Sequence, residues 1–327
     1  MSETLKQNDE QRPIPLGRFR LPLHLKTVGL GKHRAGWPFV MEHLRQLHDS
    51  DGILLDDFVE RSFREGALSR GWREPWVGIF HHPPNLPQWF DPEAPLPKIF
   101  ATRAFQTSMR HLRGAIALSE HLAAWLRDTL ACPVLVLKHP TPAADLCFSF
   151  ERWNQTRRII QVGWYARNLR AIYQLAVPDS FRKVHLMKDR LKMAMERTDR
   201  FSPHRKRPWV GAVEQMATVD DREFDELMAS SVIVCEYWDV SASNTVVEAI
   251  ARSTPIFVNR LPALEEYLGG GYPLFFDDLD QVPLMLKEPA RIRDAWNYLD
   301  ELDKSWMSAE SFAHEVARFV CSVSSSA

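Results

Sequence analysis

The chain has 327 residues, of which 45% are hydrophobic and 25% are charged, and its formal net charge is −1 at pH 7. These values are ordinary for a globular protein, and the near-zero charge provides no overall field that would favour nucleic acid or an anionic membrane. The length exceeds what one hydrophobic core usually needs, so two domains are expected.

The N-terminus, the lengths of the apolar runs and the cysteines predict a cytoplasmic protein. The N-terminus, "MSETLKQNDEQRPIP", is polar and lacks the apolar segment of a secretory signal. No apolar run reaches the ~18 residues that a membrane-spanning helix requires. The four cysteines are scattered, without the spacing of a metal site. We therefore expect reduced thiols and no structural metal.

The first half of the chain alternates between strand and helix patterns. Residues 1–13 are polar and are predicted to be disordered. A helix is predicted after the turn Gly29-Leu30-Gly31. Four apolar runs of strand length follow, "GILLDDFVE", "WVGIFHHPP", "GAIALS" and "PVLVLKHP". This alternation predicts a compact parallel-sheet domain over residues 14–138.

The second half repeats this pattern after a linker predicted over residues 139–157. Its predicted strands are "RRIIQVG", "RKVHLMK", "RPWVGAVEQMA", "SVIVC" and "TPIFVN". A helix with one apolar face, "DDREFDELMAS", lies among them. The predicted fold class is therefore α/β, with two Rossmann-like parallel-sheet domains facing a cleft, the second over residues 158–327.

A corner of small polar residues joins two apolar segments of the second half. Residues 241–245, Ser-Ala-Ser-Asn-Thr, follow the strand "SVIVC", and Glu248 stands one turn into the next helix. The turn after a parallel strand is where open α/β sheets bind ligands, and a helix N-terminus suits a phosphate group. The alternative is structural, because Thr245-x-x-Glu248 is also the pattern of a capping box.

Residues 158–280 resemble the nucleotide-sugar domain of GT-B glycosyltransferases, especially the retaining enzymes of glycosyltransferase family 4. The resemblance rests on the order of several motifs: a strand that leads into Gly163 and basic residues, then "VGAVEQMATVDDREFDELMASSVIVCEY", "SASNTVVEAIARSTPIFVN" and "LPALEEYLGGGYPLFFDD". It implies the GT-B fold and a last helix, around 306–323, that packs back toward the first domain. The first half of the chain matches the family more loosely.

The resemblance implies donor-binding roles for the corner and the helix after it. Ser243, Asn244 and Thr245 would present backbone amides to the donor diphosphate, and Glu248 matches the glutamate that hydrogen-bonds the ribose hydroxyls in this family.

The chain departs from the family where the donor sugar is contacted. In this family a first glutamate, separated by seven residues from the second, usually makes this contact. Glu248 matches the second glutamate, and the chain has Val240 at the position of the first. Asp239 and Glu236 lie nearby in sequence and are the candidates to replace it.

The phosphate-binding cations of the family are also displaced. Trp164 stands where relatives have an arginine, and Leu169 stands where they have a lysine. Arg167 and Arg170 are the nearby candidates to bind the phosphates. The alternative is an exposed helix start with solvated arginines.

Two adjacent histidines end a predicted strand of the first domain. Relatives often carry a histidine at this strand end, pointing into the cleft near the transferred sugar. Side chains alternate along an extended chain, so one of the pair is expected to face the cleft. His81 aligns better and His82 is the second candidate. The alternative is a packed loop, and neighbouring histidines without a third ligand do not indicate zinc.

The remaining expectations concern ligands and partners. Gly29 and Gly31 fit the acceptor-side loop of GT-B enzymes. No cofactor is expected beyond the nucleotide-sugar co-substrate, and no metal, because cationic side chains and amides would stabilise the leaving diphosphate. The acceptor class stays open between a glycan, a lipid-linked molecule, a protein and a small molecule. The basic stretch 179–207 leaves room for peripheral membrane contact, although a solvated helix face is the commoner use.

The sequence therefore predicts a metal-independent, retaining glycosyltransferase that uses a nucleotide-sugar donor. The second hypothesis is a catalytically silent GT-B-like protein that binds a nucleotide sugar or a partner, and the missing first glutamate favours it. An oxidoreductase is disfavoured because no strand leads into a G-x-G-x-x-G helix start.

Overall fold

The computed structural model of the chain describes residues 18–22, 36–64, 70–92, 95–187, 191–217 and 219–324. The segment 1–13, predicted to be disordered, and the glycines of the predicted acceptor-side loop, Gly29 and Gly31, lie outside the described residues.

The first half forms a parallel sheet of five strands, which pair in chain order. The strands are β1 (Phe19–Arg20), β2 (Ile53–Asp56), β3 (Trp76–Phe80), β4 (Leu112–Ala117) and β5 (Val134–Val136). The helices are α1 (Trp37–Gln46), α2 (Val59–Arg64), α3 (Leu96–Phe100), α4 (Arg103–Met109) and α5 (Glu120–Thr129). All five residues of β3 are buried, as expected for a parallel strand covered on both faces.

The second half forms a separate parallel sheet of six strands. The strands are β6 (Arg158–Gln161), β7 (Arg182–Leu186), β8 (Glu214–Met216), β9 (Ser231–Cys235), β10 (Ile256–Asn259) and β11 (Phe275–Phe276). The helices before β10 are α6 (Phe150–Thr156), α7 (Ala171–Gln174), α8 (Lys192–Phe201), α9 (Asp221–Ala229) and α10 (Asn244–Ala251). Those after it are α11 (Pro262–Leu268), α12 (Val282–Leu286), α13 (Pro289–Glu301) and α14 (Ala309–Ser324).

The strand order of the second sheet creates a topological switch point. The spatial order is β8-β7-β6-β9-β10-β11, so the chain builds outward from β6 on one side and then returns to build outward from β9 on the other. Loops after β6 and β9 therefore diverge to opposite faces and leave a crevice at their carboxyl ends, where open α/β sheets bind ligands.

Two separate sheets confirm the predicted fold class. The last helix also packs as expected, because Phe312, Val316 and Val320 of α14 lie in the first half's core with Trp37 and Leu44 of α1. The apolar face of α14 is therefore buried by the domain that is distant in sequence.

Two local expectations differ from the structure. The stretch 139–157, predicted as a linker, contains α6, whose Trp153 is fully buried in the core of the second half. The strand predicted over 207–217 is confined to β8, because Gly211 adopts a left-handed φ of 67° and turns the chain before the strand begins. The predicted domain boundaries themselves stay predictions.

Candidate functional site

A cavity of about 700 Å³ lies between the two halves, at the carboxyl ends of β6 and β9. Its volume is within the range of small-molecule sites in proteins. The second half contributes the turn after β6 and the corner after β9, and the first half contributes the start of α1, part of α2 and the end of β3.

The N-terminus of α10 opens onto this cavity. Ser243 is the extended N-cap residue, and its carbonyl accepts hydrogen bonds from the amides of Val246 and Val247, both at 3.0 Å. The first N–H groups of a helix have no acceptor within the helix and carry partial positive charge. Ser243, Asn244 and Thr245 line the cavity, so the predicted polar corner is brought together there.

The N-terminus of α1 lies close to the N-terminus of α10 at the edge of the cavity. Gly36 precedes α1 with a φ of 52°, and a Cβ atom added to it would lie 2.7 Å from Nδ2 of Asn244. Glycine is required here by both the backbone angle and the close approach. Gly36, Trp37 and Pro38 also line the cavity, so two helix N-termini face the same space.

The position at which α10 begins excludes a capping box between Thr245 and Glu248, which was the structural alternative for this sequence pattern. The helix begins at Asn244, so Thr245 lies inside the first turn and is not the N-cap. The Thr245 hydroxyl instead accepts a hydrogen bond from Nη1 of Arg167 at 3.1 Å. Glu248 is buried one turn further along, outside the lining of the described cavity, and its charge acts on Arg167.

Arg167 is the cation that the second half places at the cavity. Its guanidinium is buried and donates to the Val162 carbonyl at 2.6 Å and to the Ser243 hydroxyl at 3.4 Å. Gly163 permits this position, because a Cβ atom added there would lie 2.8 Å from Nη1 of Arg167. Glycine at this turn thus leaves room for the guanidinium beneath the start of α10, and its φ of 73° is one that glycine adopts readily.

Arg170, the other candidate cation, lies elsewhere. Its guanidinium donates to both carboxylate oxygens of Asp199, at 2.6 and 2.5 Å, and lies 4.3 Å from the centre of the Trp209 ring. Arg170 does not line the cavity. The structure therefore brings only Arg167 of the two candidates to the start of α10.

Neither candidate for the missing glutamate reaches the cavity. Asp239 accepts hydrogen bonds from the Asn85 amide at 2.8 Å and from Nε2 of His121 at 3.0 Å, both in the first half. Glu236 accepts from the Asn168 side chain at 2.6 Å within the second half.

Val240 itself lines the cavity. An apolar side chain therefore stands where the family's sugar-contacting glutamate is expected, and the two nearby carboxylates serve polar contacts elsewhere in the fold.

Both histidines of the pair line the cavity, which corrects the expectation that only one would do so. Strand β3 ends at Phe80 and the chain bends at His82, so the alternation of an extended chain does not continue through the pair. The His82 ring lies 4.9 Å from the ring of Tyr165 in the second half.

The His81 ring is neutral, and its Nδ1 atom is the nitrogen that can accept a hydrogen bond. Its Nε2 lies 2.9 Å from the Asp57 carbonyl, which only accepts, so Nε2 carries the hydrogen and Nδ1 is the acceptor. The ring stacks on Phe58 with centroids 3.8 Å apart. Burial lowers the pKa of His81 well below its ordinary value of 6.5, which keeps the ring neutral.

The lining also includes Glu60, which the sequence analysis missed. One carboxylate oxygen accepts hydrogen bonds from the amides of His81 and His82, both at 2.7 Å, and the other has no hydrogen-bond partner among the described residues. Burial raises the pKa of Glu60 to about 7. Its signal was present in "GILLDDFVE", where acidic residues directly follow an apolar strand.

Within the described ranges, no group of three or more His, Cys, Asp or Glu side chains is placed to hold a metal ion. The same part of the chain contains no helix that is both long and apolar enough to cross a membrane.

Solved structures share this arrangement of two sheets around a cleft. Sucrose-phosphate synthase from Thermosynechococcus elongatus superimposes with a TM-score of 0.64 at 12% identity, over 93% of this chain and 82% of that one. The trehalose-6-phosphate synthase OtsA gives 0.55 at 11% identity, over 88% and 77%. HepE from Anabaena, in a complex with UDP and glucose, gives 0.51 at 13% identity, over 88% and 80%.

These superpositions show the fold. The chain has the two-domain GT-B fold, as predicted, and the likeness extends over most of its length. No protein-family model matches the sequence, and the search of curated proteins found no match. Membership of glycosyltransferase family 4 stays a prediction.

Proposed function

We propose that the protein is a glycosyltransferase that transfers a sugar from a nucleoside-diphosphate donor to an acceptor bound in the cleft. The observation that carries the proposal is the convergence of Arg167 and the N-terminus of α10 at the switch point of the second sheet. Buried cationic hydrogen-bond donors and helix amides are what a diphosphate requires.

The structural neighbours support this choice of ligand. One structure of HepE is described as a complex with UDP-glucose, and one trehalose-phosphate synthase is described as UDP-forming. We therefore take UDP as the first nucleotide to test. Glu248 is the proposed contact of the ribose hydroxyls, and Nδ1 of His81 is the proposed acceptor for a hydroxyl of the transferred sugar.

The proposed reaction needs no metal ion. Charge develops on the diphosphate as the bond to the sugar breaks, and Arg167 together with the first amides of α10 would stabilise that charge. Retention of the anomeric configuration belongs to the proposal as the outcome that the resemblance implies. The anomer released when the donor is hydrolysed would test it.

A second candidate function is nucleotide-sugar binding without transfer. Val240 favours it, because an apolar side chain lines the cavity where a sugar-contacting glutamate is expected. Nucleotide binding without any hydrolysis of the donor would select this function over the first.

The proposal is tested by nucleotide binding in a pair of matched arginine variants. UDP, GDP and ADP are added in turn to the wild type, and a nucleotide that binds the folded state raises the melting temperature. Arg167→Met should weaken binding roughly ten- to a hundredfold, because a hydrogen bond to a charged group contributes about 1.5–3 kcal/mol. Arg170→Met, three positions away, should leave the affinity unchanged. If no nucleoside diphosphate stabilises the wild type, the proposed function is wrong.

A further inference from the structure

The first-half wall of the cavity carries two arginines on one face of α2. Arg61 and Arg64 are three positions apart on this helix and both line the cavity, while Val59, Ser62 and Phe63 are buried beneath them. The apolar packing of α2 therefore directs its two cations toward the space between the domains.

Arg61 differs from Arg64 in how its charge is balanced. Arg64 forms an ion pair with Asp91 at 2.9 Å. No carboxylate among the described residues lies within ion-pair distance of Arg61, whose guanidinium lies 4.6 Å from the centre of the Phe58 ring. Aromatic stacking orients a guanidinium but leaves its hydrogen-bond donors available.

The charges around Arg61 leave this wall positive. Glu60 is the one carboxylate in the described lining, and burial raises its pKa to about 7, so it is largely neutral below that pH. Asp57 accepts a hydrogen bond from the Trp37 indole at 2.9 Å; burial raises its pKa, although the charge of Arg61, which lies beyond ion-pair distance, acts on it in the opposite direction. A guanidinium in a partly desolvated cleft, with no ion-pair partner among the residues that the structure describes, is best compensated by an anionic ligand.

The proposed donor site does not include Arg61. Arg167 and α10, which hold the proposed diphosphate site, belong to the second half, whereas α2 belongs to the first. We propose that the acceptor carries an anionic group, a phosphate or a carboxylate, and that Arg61 binds this group on the first-half wall of the cavity. This inference rests on the proposed function and adds the chemical class of its acceptor.

The test measures anion binding to protein that is already saturated with UDP, so that the diphosphate site is filled. Inorganic phosphate and sodium acetate are titrated separately against sodium chloride of equal ionic strength, and the melting temperature is followed. We expect one of the two anions to stabilise the wild type beyond chloride, and its identity distinguishes a phosphate from a carboxylate acceptor. Arg61→Gln should weaken that binding at least tenfold and leave the affinity for UDP within twofold.

Two further variants make the result specific. Arg110→Gln removes an exposed arginine of the same domain that does not line the cavity, and it should bind both anions as the wild type does. Arg61→Lys keeps the charge but not the planar fork and should show intermediate affinity.

Three outcomes would overturn the inference while leaving the proposed function standing. In the first, neither anion binds better than chloride. In the second, Arg61→Gln binds the anion as tightly as the wild type. In the third, Arg61→Gln weakens UDP binding, which would place Arg61 in the donor site. Failure of UDP, GDP and ADP alike to bind the wild type would instead contradict the proposed function, and the inference with it.

Discussion

The carboxyl group of Glu60 lies directly behind the histidine pair and is fully buried. Two amide hydrogen bonds favour its ionised form, but burial outweighs them and raises its pKa from 4.5 to about 7. Folding therefore takes up a proton at Glu60 between these two pH values. The free energy of unfolding consequently falls as the pH rises through this interval.

Glu60→Gln should remove this pH dependence. Glutamine keeps an oxygen that can accept from the amides of His81 and His82, but it does not titrate. Between pH 5 and pH 8 the wild type should lose up to about 3 kcal/mol more free energy of unfolding than the variant does. Urea unfolding of both proteins at the two pH values measures this difference, and contributions shared by both proteins cancel. Parallel pH profiles would show that Glu60 does not titrate in this range.

At the scale of an element, α10 combines core packing with the proposed role in nucleotide binding. Val246, Val247, Ala249 and Ile250 are buried in the core of the second half and fix the helix in place. Its N-terminus then faces the cavity opposite the N-terminus of α1. Because no capping box forms at Thr245, the role proposed for Glu248 no longer competes with a helix-capping role.

Glu248→Ala should therefore weaken nucleotide binding more than it lowers stability. Loss of a hydrogen bond to a charged carboxylate predicts a roughly ten- to hundredfold weaker affinity for the nucleotide. Calorimetric titration and thermal unfolding of the same variant measure both quantities. Glu226→Ala removes a partly exposed glutamate of α9 that pairs with Arg152 of α6; this variant is the control and should leave the affinity unchanged. Unchanged affinity in Glu248→Ala would remove this residue from the donor site.

At the scale of the whole molecule, polar contacts join the two halves beside the cavity. The Tyr267 hydroxyl donates to the Leu118 carbonyl at 2.7 Å, and the Glu266 carboxylate accepts from the Glu120 amide at 2.7 Å. Asp239 makes two more contacts with the first half, one of them with His121. Together with the packing of α14 on the first core, these contacts set the position of the halves around the cavity.

The contact between Asp239 and His121 can be followed in solution. The hydrogen bond and the negative charge of Asp239 raise the pKa of His121 above 6.5. The stability that this contact contributes is thus present below pH 6.5 and is lost as the pH rises through the pKa of His121. Asp239→Asn should lower that pKa, which an NMR titration measures after His121→Asn assigns the signal. An unchanged pKa would mean that the contact between the halves does not form in solution.

Several features of this protein were determined by local sequence. The β9–α10–β10 unit was predicted because an apolar run of strand length, a polar corner and a helical apolar pattern occur within a short stretch. The alternation of such units in both halves predicted two parallel sheets. The position of the polar corner at the carboxyl end of a strand also predicted that Ser243, Asn244 and Thr245 lie at the crevice of the sheet, and all three line the cavity.

The tertiary structure decided which charged side chains reach the cavity. Arg167 and Arg170 are three positions apart in sequence. Arg167 packs against Gly163 and donates a hydrogen bond to the Thr245 hydroxyl at the cavity, whereas Arg170 binds Asp199 on α8. Asp239 accepts hydrogen bonds from the first half and therefore does not reach the cavity. Glu60 contacts the histidine pair because α2 packs beside β3. Hydrogen bonds between residues that are distant in sequence fix these side chains. For this reason local periodicity predicted the strands and helices, but not the partner of each carboxylate and guanidinium.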